Sequence, residues 1–113
     1  MYIQKQTILG IPAIIWGGCS DRAYLVVHGK ASSKEDAERF AAIAVDKDYQ
    51  VISFDLPEHG ERAAQDRVCS MQNGVQDLSV VMDYVCRNWS SVNLFATSLG
   101  AYFSLAAYRD FKF

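Results

Sequence analysis

Apolar residues follow two alternating patterns along this chain. Short apolar runs, typical of strands buried in a sheet, predict strands at residues 2–9, 11–16, 23–29, 49–54 and 91–96. Between most of them lie longer segments whose apolar residues recur at intervals of three and four, as on one face of a helix. Glycine, proline and polar clusters separate the segments. Strands and helices are therefore expected to alternate after an initial strand pair.

Two of the helical segments have a distinct apolar face. In the first, this face comprises Ala37, Phe40, Ala41, Ala44 and Val45, and in the second Val75, Leu78, Met82, Val85, Cys86 and Trp89. Ser32 and Glu35 have the spacing of a capping box, which predicts the start of the first helix. A third helix is predicted to begin at about Ser98.

This order of elements predicts an α/β fold, a three-layer sandwich with helices on both faces of a mostly parallel sheet. The first two strands are expected to form an antiparallel pair, and the later strands to be joined by right-handed crossovers. The chain has 113 residues, with no repeat and no interdomain linker. It is therefore expected to form a single domain, residues 1–113.

Composition and charge exclude several classes of protein. Half of the residues are hydrophobic and the formal net charge is −2, which argues against disorder and against nucleic-acid binding. No apolar stretch approaches the ~20 residues of a membrane span, and the N-terminus does not resemble a secretory signal. Three scattered cysteines indicate reduced thiols, so we expect a cytoplasmic protein. With two histidines, a metal site is not expected, and no cofactor is suggested.

Three loops are expected to meet at one edge of the sheet. They follow the strands that end near His28, near Phe54 and just before Ser98. In sheets of this kind, ligands bind at the carboxyl ends of the parallel strands. All of the candidate chemistry therefore falls at this edge.

The stretch "LFATSLGAYFSL" places Ser98 at a sharp strand-to-helix turn. Such a turn exposes a serine and directs the free N–H groups of the new helix towards a reacting carbonyl. It needs small residues two positions before and after the serine, and Ala96 and Gly100 stand there. Ser98 is either a nucleophile or an ordinary serine at a helix start.

The other two loops offer supporting groups. In "VVHGKASS", Gly29 lets the backbone approach a bound group, and the N–H of Lys30 or Ala31 is a candidate oxyanion donor beside that of Leu99. His28 is interpreted as a buried, hydrogen-bonded histidine that holds this loop, the alternative being a catalytic base.

In "FDLPEHGER", the interpretation is a local hydrogen bond between Asp55 and His59 that makes the loop rigid, the alternative being direct catalysis. Glu58, Glu61 and Arg62 are expected to form a solvated rim.

These three motifs, in this order, resemble the α/β-hydrolase superfamily, in its branch of small esterase- and lipase-like serine hydrolases. The resemblance extends from about Tyr2 to the end of the chain. It implies that Ser98 is the nucleophile, and that Leu99 and the residue after Gly29, Lys30, are the backbone oxyanion donors. It also implies a structural role beside the site for the loop that contains His59, and a small acyl compound as substrate.

The resemblance also indicates which members of a catalytic triad are missing from these 113 residues. The triad of this superfamily runs serine, acid, histidine, but only Asp110 and no histidine follow Ser98. Asp110 is expected about 15 Å or more along the helix from Ser98. We therefore expect the N-terminal half of a hydrolase domain, with weak or no activity alone. His59 is a less favoured substitute base.

A truncated sheet has a further consequence. The strand at 91–96 is expected to be an apolar edge strand without a proline or lysine to protect it. We therefore expect a homodimer or another oligomer that covers this edge. Three hypotheses remain open: a serine ester or acyl hydrolase, a non-catalytic oligomeric module that binds a ligand or a protein, and a truncated product with inherited features only.

Overall fold

The computed structural model describes the whole chain, Met1–Phe113. Its strands are β1 (Ile3–Ile8), β2 (Ile11–Trp16), β3 (Arg22–Val27), β4 (Gln50–Phe54) and β5 (Ser91–Ala96). Its helices are α1 (Glu38–Asp46), α2 (Met71–Asn88) and α3 (Ser98–Ala107). Short 3-10 helices cover Lys34–Ala37 and Gly60–Arg62. The predicted elements are all present, with shifts at their ends.

The five strands form one sheet in the order β1-β2-β4-β3-β5. β3 pairs in parallel with both β4 and β5, whereas β2 pairs antiparallel with β1 and β4. Only β2 therefore runs against the other four strands. This confirms a mostly parallel sheet that starts with an antiparallel pair.

Helices cover both faces of the sheet. Alternate residues of each strand point to opposite faces. Leu25, Ile52 and Val92 belong to the core that includes Leu78 of α2 and Phe103 of α3. On the other face, a smaller core has three alanines of the α1 segment packed with strand residues: Ala37, Ala41 and Ala44 with Ile14, Trp16, Val26 and Val51. The three-layer arrangement follows from this division.

The first helical segment starts differently from its prediction. A turn of 3-10 helix precedes α1, and the capping residues are Ser33 and Asp36, one position beyond the predicted Ser32 and Glu35. The Asp36 carboxylate accepts hydrogen bonds from the Ser33 N–H at 3.2 Å and from the Ser32 hydroxyl at 2.5 Å. Asp36 therefore takes the place at this helix start that the spacing assigned to Glu35.

The second helix begins at Met71, four residues before Val75, the first residue of its predicted apolar face. The Ser70 hydroxyl accepts the N–H of Asn73 at 3.1 Å and so caps it. Cys86, predicted on the apolar face, is exposed, and Asp77 is buried on that face instead. None of the three helices is both long and apolar enough to cross a membrane.

Candidate functional site

The ends of β3, β4 and β5 bring the three predicted loops together. Val27, the last residue of β3, is in register with Phe54 at the end of β4 and with Ala96 at the end of β5. The loops that follow therefore start side by side at one edge. We call residues 28–33, between β3 and the Lys34–Ala37 helix, the donor loop.

Ser98 lies on the strained corner between β5 and α3. Its backbone φ is +54°, in the left-handed region that non-glycine residues rarely adopt. Thr97 before it is extended, with φ −130° and ψ 144°, so the chain reverses direction within two residues. The Ser98 side chain is exposed. The corner thus presents the hydroxyl outward at the start of a helix.

Two glycines allow the backbone to pack tightly around this corner. A Cβ atom on Gly29 would lie 2.8 Å from the Cβ of Ser98, so the donor loop contacts the corner directly. A Cβ atom on Gly100 would lie 2.3 Å from the carbonyl oxygen of His28. Side chains at either position would therefore push α3 away from the end of β3.

The first turn of α3 and the donor loop both contain backbone N–H groups without a backbone acceptor. That of Leu99 lies in the first turn of α3, where no carbonyl of the helix can accept it. The N–H groups of Lys30 and Ala31 donate to no backbone carbonyl. Ala31 has a φ of +62°, which turns the donor loop back on itself. These are the groups that an oxyanion would need as donors.

His28 is buried, and both of its ring nitrogens are engaged. The N–H of Leu56 donates to Nε2 at 3.0 Å, so Nε2 carries no proton. Nδ1 therefore holds the proton of the neutral ring and donates it to the carbonyl oxygen of Gly29 at 2.8 Å. Burial lowers the pKa of His28 below its ordinary value, and the hydrogen bond to Gly29 only partly offsets this. A neutral, doubly bonded ring holds the donor loop to the loop after β4.

His59 is half-buried in the loop after β4. Its Nδ1 lies 2.8 Å from the carbonyl oxygen of Pro57, and its ring centroid lies 5.1 Å from that of His28. The predicted hydrogen bond between His59 and Asp55 is not formed. The backbone turn places the Pro57 carbonyl next to the ring, while the Asp55 carboxylate faces the other way, into the protein.

The Asp55 carboxylate is a fully buried acceptor between two loops. It accepts the backbone N–H of Lys34 at 2.9 Å, the Nζ of Lys34 at 2.8 Å and the N–H of Glu61 at 3.0 Å. Gly60 has a φ of +55°, and a Cβ atom there would lie 2.3 Å from the carboxylate. The chain can therefore close around Asp55 only with glycine at this position.

Arg62 is not part of the solvated rim that its neighbours form. Glu58 and Glu61 are exposed, but Arg62 is buried and its Nη1 donates to Asp77 at 2.7 Å and to the carbonyl of Asp55 at 3.0 Å. The ion pair with Asp77 fixes the loop after β4 to α2. The sequence carries no local signal for this pairing, because fifteen residues separate the partners.

Lys34 is the residue of this region that sequence reasoning missed. Its side chain is 1% exposed and pairs with three carboxylates. A signal was present: Lys34 is three residues before Ala37 and seven before Ala41, which places it on the apolar face of the helical segment. A lysine in such a position is buried with partners or reaches past the face to water.

Backbone strain is concentrated at this edge. Five non-glycine residues have positive φ, and three of them, Ala31, Glu58 and Ser98, lie one in each loop of the site. Strained residues of this kind cluster at functional sites. No three histidine, cysteine or acidic side chains come together to hold a metal ion. The edge therefore combines an exposed serine hydroxyl with backbone N–H groups that have no backbone acceptor.

The sequence matches no protein-family model and no curated protein. Its fold, however, is found in solved structures. Protein TT1662 from Thermus thermophilus superimposes with a TM-score of 0.78 at 19% identity, over 97% of this chain and 52% of its own. A cold-adapted esterase from an Arctic intertidal metagenomic library gives a TM-score of 0.70 at 21% identity, over 93% of this chain and 53% of its own. An epoxide hydrolase from Vigna radiata gives a TM-score of 0.73 at 17% identity, over 94% of this chain and 33% of its own.

The chain thus spans about half the length of the first two structures and about a third of the plant epoxide hydrolase. At these identities the likeness establishes the fold and leaves the activity open. The strand order, the position of the helices and the three solved structures all indicate the same fold. The chain has the α/β-hydrolase fold. Its five strands and three helices form a part of that fold.

Proposed function

We propose that this chain carries the nucleophile half of a serine hydrolase of carboxylic esters or related acyl compounds. Ser98 is the nucleophile in this proposal, and the N–H groups of Leu99 and Lys30 are the oxyanion donors. The observation that carries it is the exposed Ser98, held at positive φ between Gly29 and the first turn of α3. The esterase among the structures of this fold supports the same class of reaction.

In the proposed reaction, Ser98 Oγ attacks the carbonyl carbon of the ester and gives its proton to a base. The negative charge then develops on the former carbonyl oxygen, which the two N–H groups stabilise. Return of the carbonyl expels the alcohol, which takes up a proton, and water later releases the acid from the serine. The exposed hydroxyl of Ser98 and the backbone N–H groups without a backbone acceptor support this sequence of steps.

Neither histidine of these 113 residues is assigned as the base. His28 has no free ring nitrogen, because Leu56 and Gly29 engage both. His59 has Nδ1 engaged with the carbonyl of Pro57, and it does not take part in an acid–histidine pair with Asp55. We therefore expect weak or no ester turnover from these residues alone, since removing the base leaves only the residual effect of the oxyanion donors.

A fluorophosphonate probe tests the assignment of Ser98. The probe phosphorus mimics the carbonyl carbon, and its phosphonyl oxygen needs the same donors. Because no base is assigned among these residues, labelling depends on the oxyanion donors alone. We expect the folded wild-type chain to be labelled slowly at Ser98, as read by peptide mass spectrometry, and Ser98→Ala to be unlabelled there. Ser79→Ala is the matched control, because Ser79 is an exposed serine of α2 outside the site.

Labelling should also be lost in urea, where the corner no longer exists. The nucleophile assignment fails if the folded wild-type chain is not labelled. It fails as well if Ser98→Ala is labelled as fast as wild type, or if the unfolded chain is labelled as fast as the folded one.

The second candidate is a non-catalytic module that works as an oligomer. The observation that favours it is the free edge of β5, which pairs with β3 only. Beside it lies an apolar groove of about 600 Å³, lined mainly by residues of β5 and α3: Leu94, Ala96, Ala101, Ser104, Leu105, Tyr108, Arg109 and Phe113. We propose that a second copy of the chain covers this edge.

A further inference from the structure

We propose that Lys34 is a positioning residue, whose buried ammonium clamps the donor loop onto Asp55 and so holds the N–H groups of Lys30 and Ala31 in place. Its meaning for catalysis rests on the proposed function, but its effect on the loop does not. Lys34 touches no expected substrate, since its side chain is enclosed between the two loops.

The first part of the argument is the charge of Lys34. Its Nζ lies 2.8 Å from Asp55, 2.6 Å from Glu61 and 3.2 Å from Glu35. Burial alone would lower the pKa of Lys34, but the hydrogen bonds to these carboxylates outweigh it and raise the pKa above its ordinary value. The lysine is therefore charged at neutral pH. Asp55, which is fully buried, depends on it for charge compensation.

The second part is the backbone of Lys34. Its N–H donates to Asp55 Oδ1 at 2.9 Å, and its carbonyl accepts the Ser53 hydroxyl at 2.8 Å. That hydroxyl accepts in turn from the Trp16 indole N–H at 3.0 Å. Side chain, N–H and carbonyl of one residue are thus all bound to β4 or to the residue that follows it. The C-terminal end of the donor loop cannot shift without breaking several of these bonds.

The third part is the opposite end of the same loop. His28 is held by the N–H of Leu56, the residue after Asp55. Both ends of the donor loop are therefore attached to Asp55 and Leu56, and five residues lie between the two anchors. Within this short span Ala31 adopts its left-handed conformation. Fixed ends explain how the strained conformation persists, because the surrounding bonds outweigh its cost.

The test compares Lys34→Met, which keeps the length of the side chain and removes its charge, with Lys5→Met on the exposed face of β1. Two quantities are measured on the full chain at a temperature at which both variants are folded. The first is the ¹⁵N order parameter of the Lys30 and Ala31 amides, and the second is the rate at which the fluorophosphonate probe labels Ser98.

In Lys34→Met we expect the order parameters of these two amides to fall from about 0.85 to below about 0.6, with those of β3 and β4 unchanged. The labelling rate is expected to fall by about 100-fold, because a displacement of about 1 Å in a positioned group lowers a reaction rate by about that factor. Lys5→Met should match the wild-type chain in both. If Lys34→Met does not fold, the double variant Lys34→Met/Asp55→Asn, which leaves no buried charge unpaired, carries the test, and the same loss of order at the Lys30 and Ala31 amides is expected.

An unchanged donor loop in a folded Lys34→Met chain would overturn the proposal. The same holds for loosening spread equally over β3 and β4, since that is the result of a general loss of stability. If wild-type Ser98 is not labelled at all, the proposed function fails, and the order parameters alone decide the role of Lys34.

Discussion

At the scale of single residues, the corner at Ser98 combines an exposed hydroxyl with a conformational cost. A side chain at a φ of +54° is less stable than in the right-handed region by roughly 1–2 kcal/mol. Glycine would remove the cost, yet the chain has serine there. Alanine before the turn and glycine after it satisfy the local sterics, so the serine itself is the residue that no steric requirement explains.

Replacing Ser98 therefore separates conformational strain from chemistry. We expect Ser98→Gly to be more stable than Ser98→Ala by about 1 kcal/mol, because only glycine adopts this φ without strain. Both variants lack the hydroxyl. The difference is measured from the midpoints of urea unfolding, provided that the free energy of unfolding of both variants has the same slope against urea concentration. Equal midpoints would mean that the corner is relaxed in solution.

At the scale of elements, the position of α3 depends on close approach to the end of β3. Gly100 lies against the backbone carbonyls of Val27 and His28, and Phe103 one turn later packs its ring against Gly74 of α2. The N–H of Thr97 also donates to the carbonyl of Val27 at 3.2 Å. These contacts fix the direction in which the first turn of α3, and hence the N–H of Leu99, points.

Gly100→Ala should therefore destabilise the protein strongly. Its Cβ would lie 2.3 Å from the His28 oxygen and 2.5 Å from the Val27 oxygen, both backbone atoms that cannot rotate away. We expect a loss of about 3 kcal/mol in the free energy of unfolding, measured by urea denaturation. Gly18→Ala is the matched control, since nothing lies within 4 Å of its added Cβ. A Gly100→Ala chain as stable as Gly18→Ala would show that α3 can move outward freely.

At the scale of the whole molecule, the two edges of the sheet differ in character. β1 at one edge carries exposed polar residues, whereas β5 at the other has no charged residue and exposes 40% of Phe95. Leu105 on α3, 73% exposed, lies beside the same edge in the groove. A strand edge of this kind is prone to pair with another chain.

Closed pairing of two identical edge strands about a twofold axis is antiparallel. It would place the two α3 helices on the same face of a continuous sheet, where their exposed apolar side chains can meet. The carboxyl ends of the two β5 strands would point in opposite directions. Such a dimer would cover the edge without bringing a histidine of the partner to Ser98, so the proposed dimer and the proposed catalytic role of Ser98 are tested separately.

We expect the chain to be a dimer at micromolar concentration, as measured by sedimentation velocity. Leu105→Lys should weaken dimerisation at least tenfold, because it places like charges across the axis. Ile43→Lys is the control, since Ile43 is 66% exposed on α1, on the other face. A wild-type chain that stays monomeric at tens of micromolar would contradict the proposed partner, as would equal effects of the two substitutions.

The sequence by itself determined the elements, their order and the place of the candidate chemistry. Periods of two and of three to four are local, so strands, helices and the corner at Ser98 could be predicted from neighbouring residues. The glycines that separate the elements, and the one after the corner, could likewise be interpreted from their neighbouring residues. The ends of elements were less accurate, as at Ser33 and Asp36, because a turn of 3-10 helix precedes α1.

Only the tertiary structure decided the protonation and pairing of the polar groups. Lys34 and Asp55 are 21 residues apart, and Arg62 and Asp77 are 15 apart, so no local pattern joins them. His28 is neutral because the N–H of Leu56, from another strand end, occupies its Nε2. Apolar periodicity reports which face of an element is buried. Which charges meet behind that face depends on how the strands pair, since pairing alone places distant residues within hydrogen-bond distance.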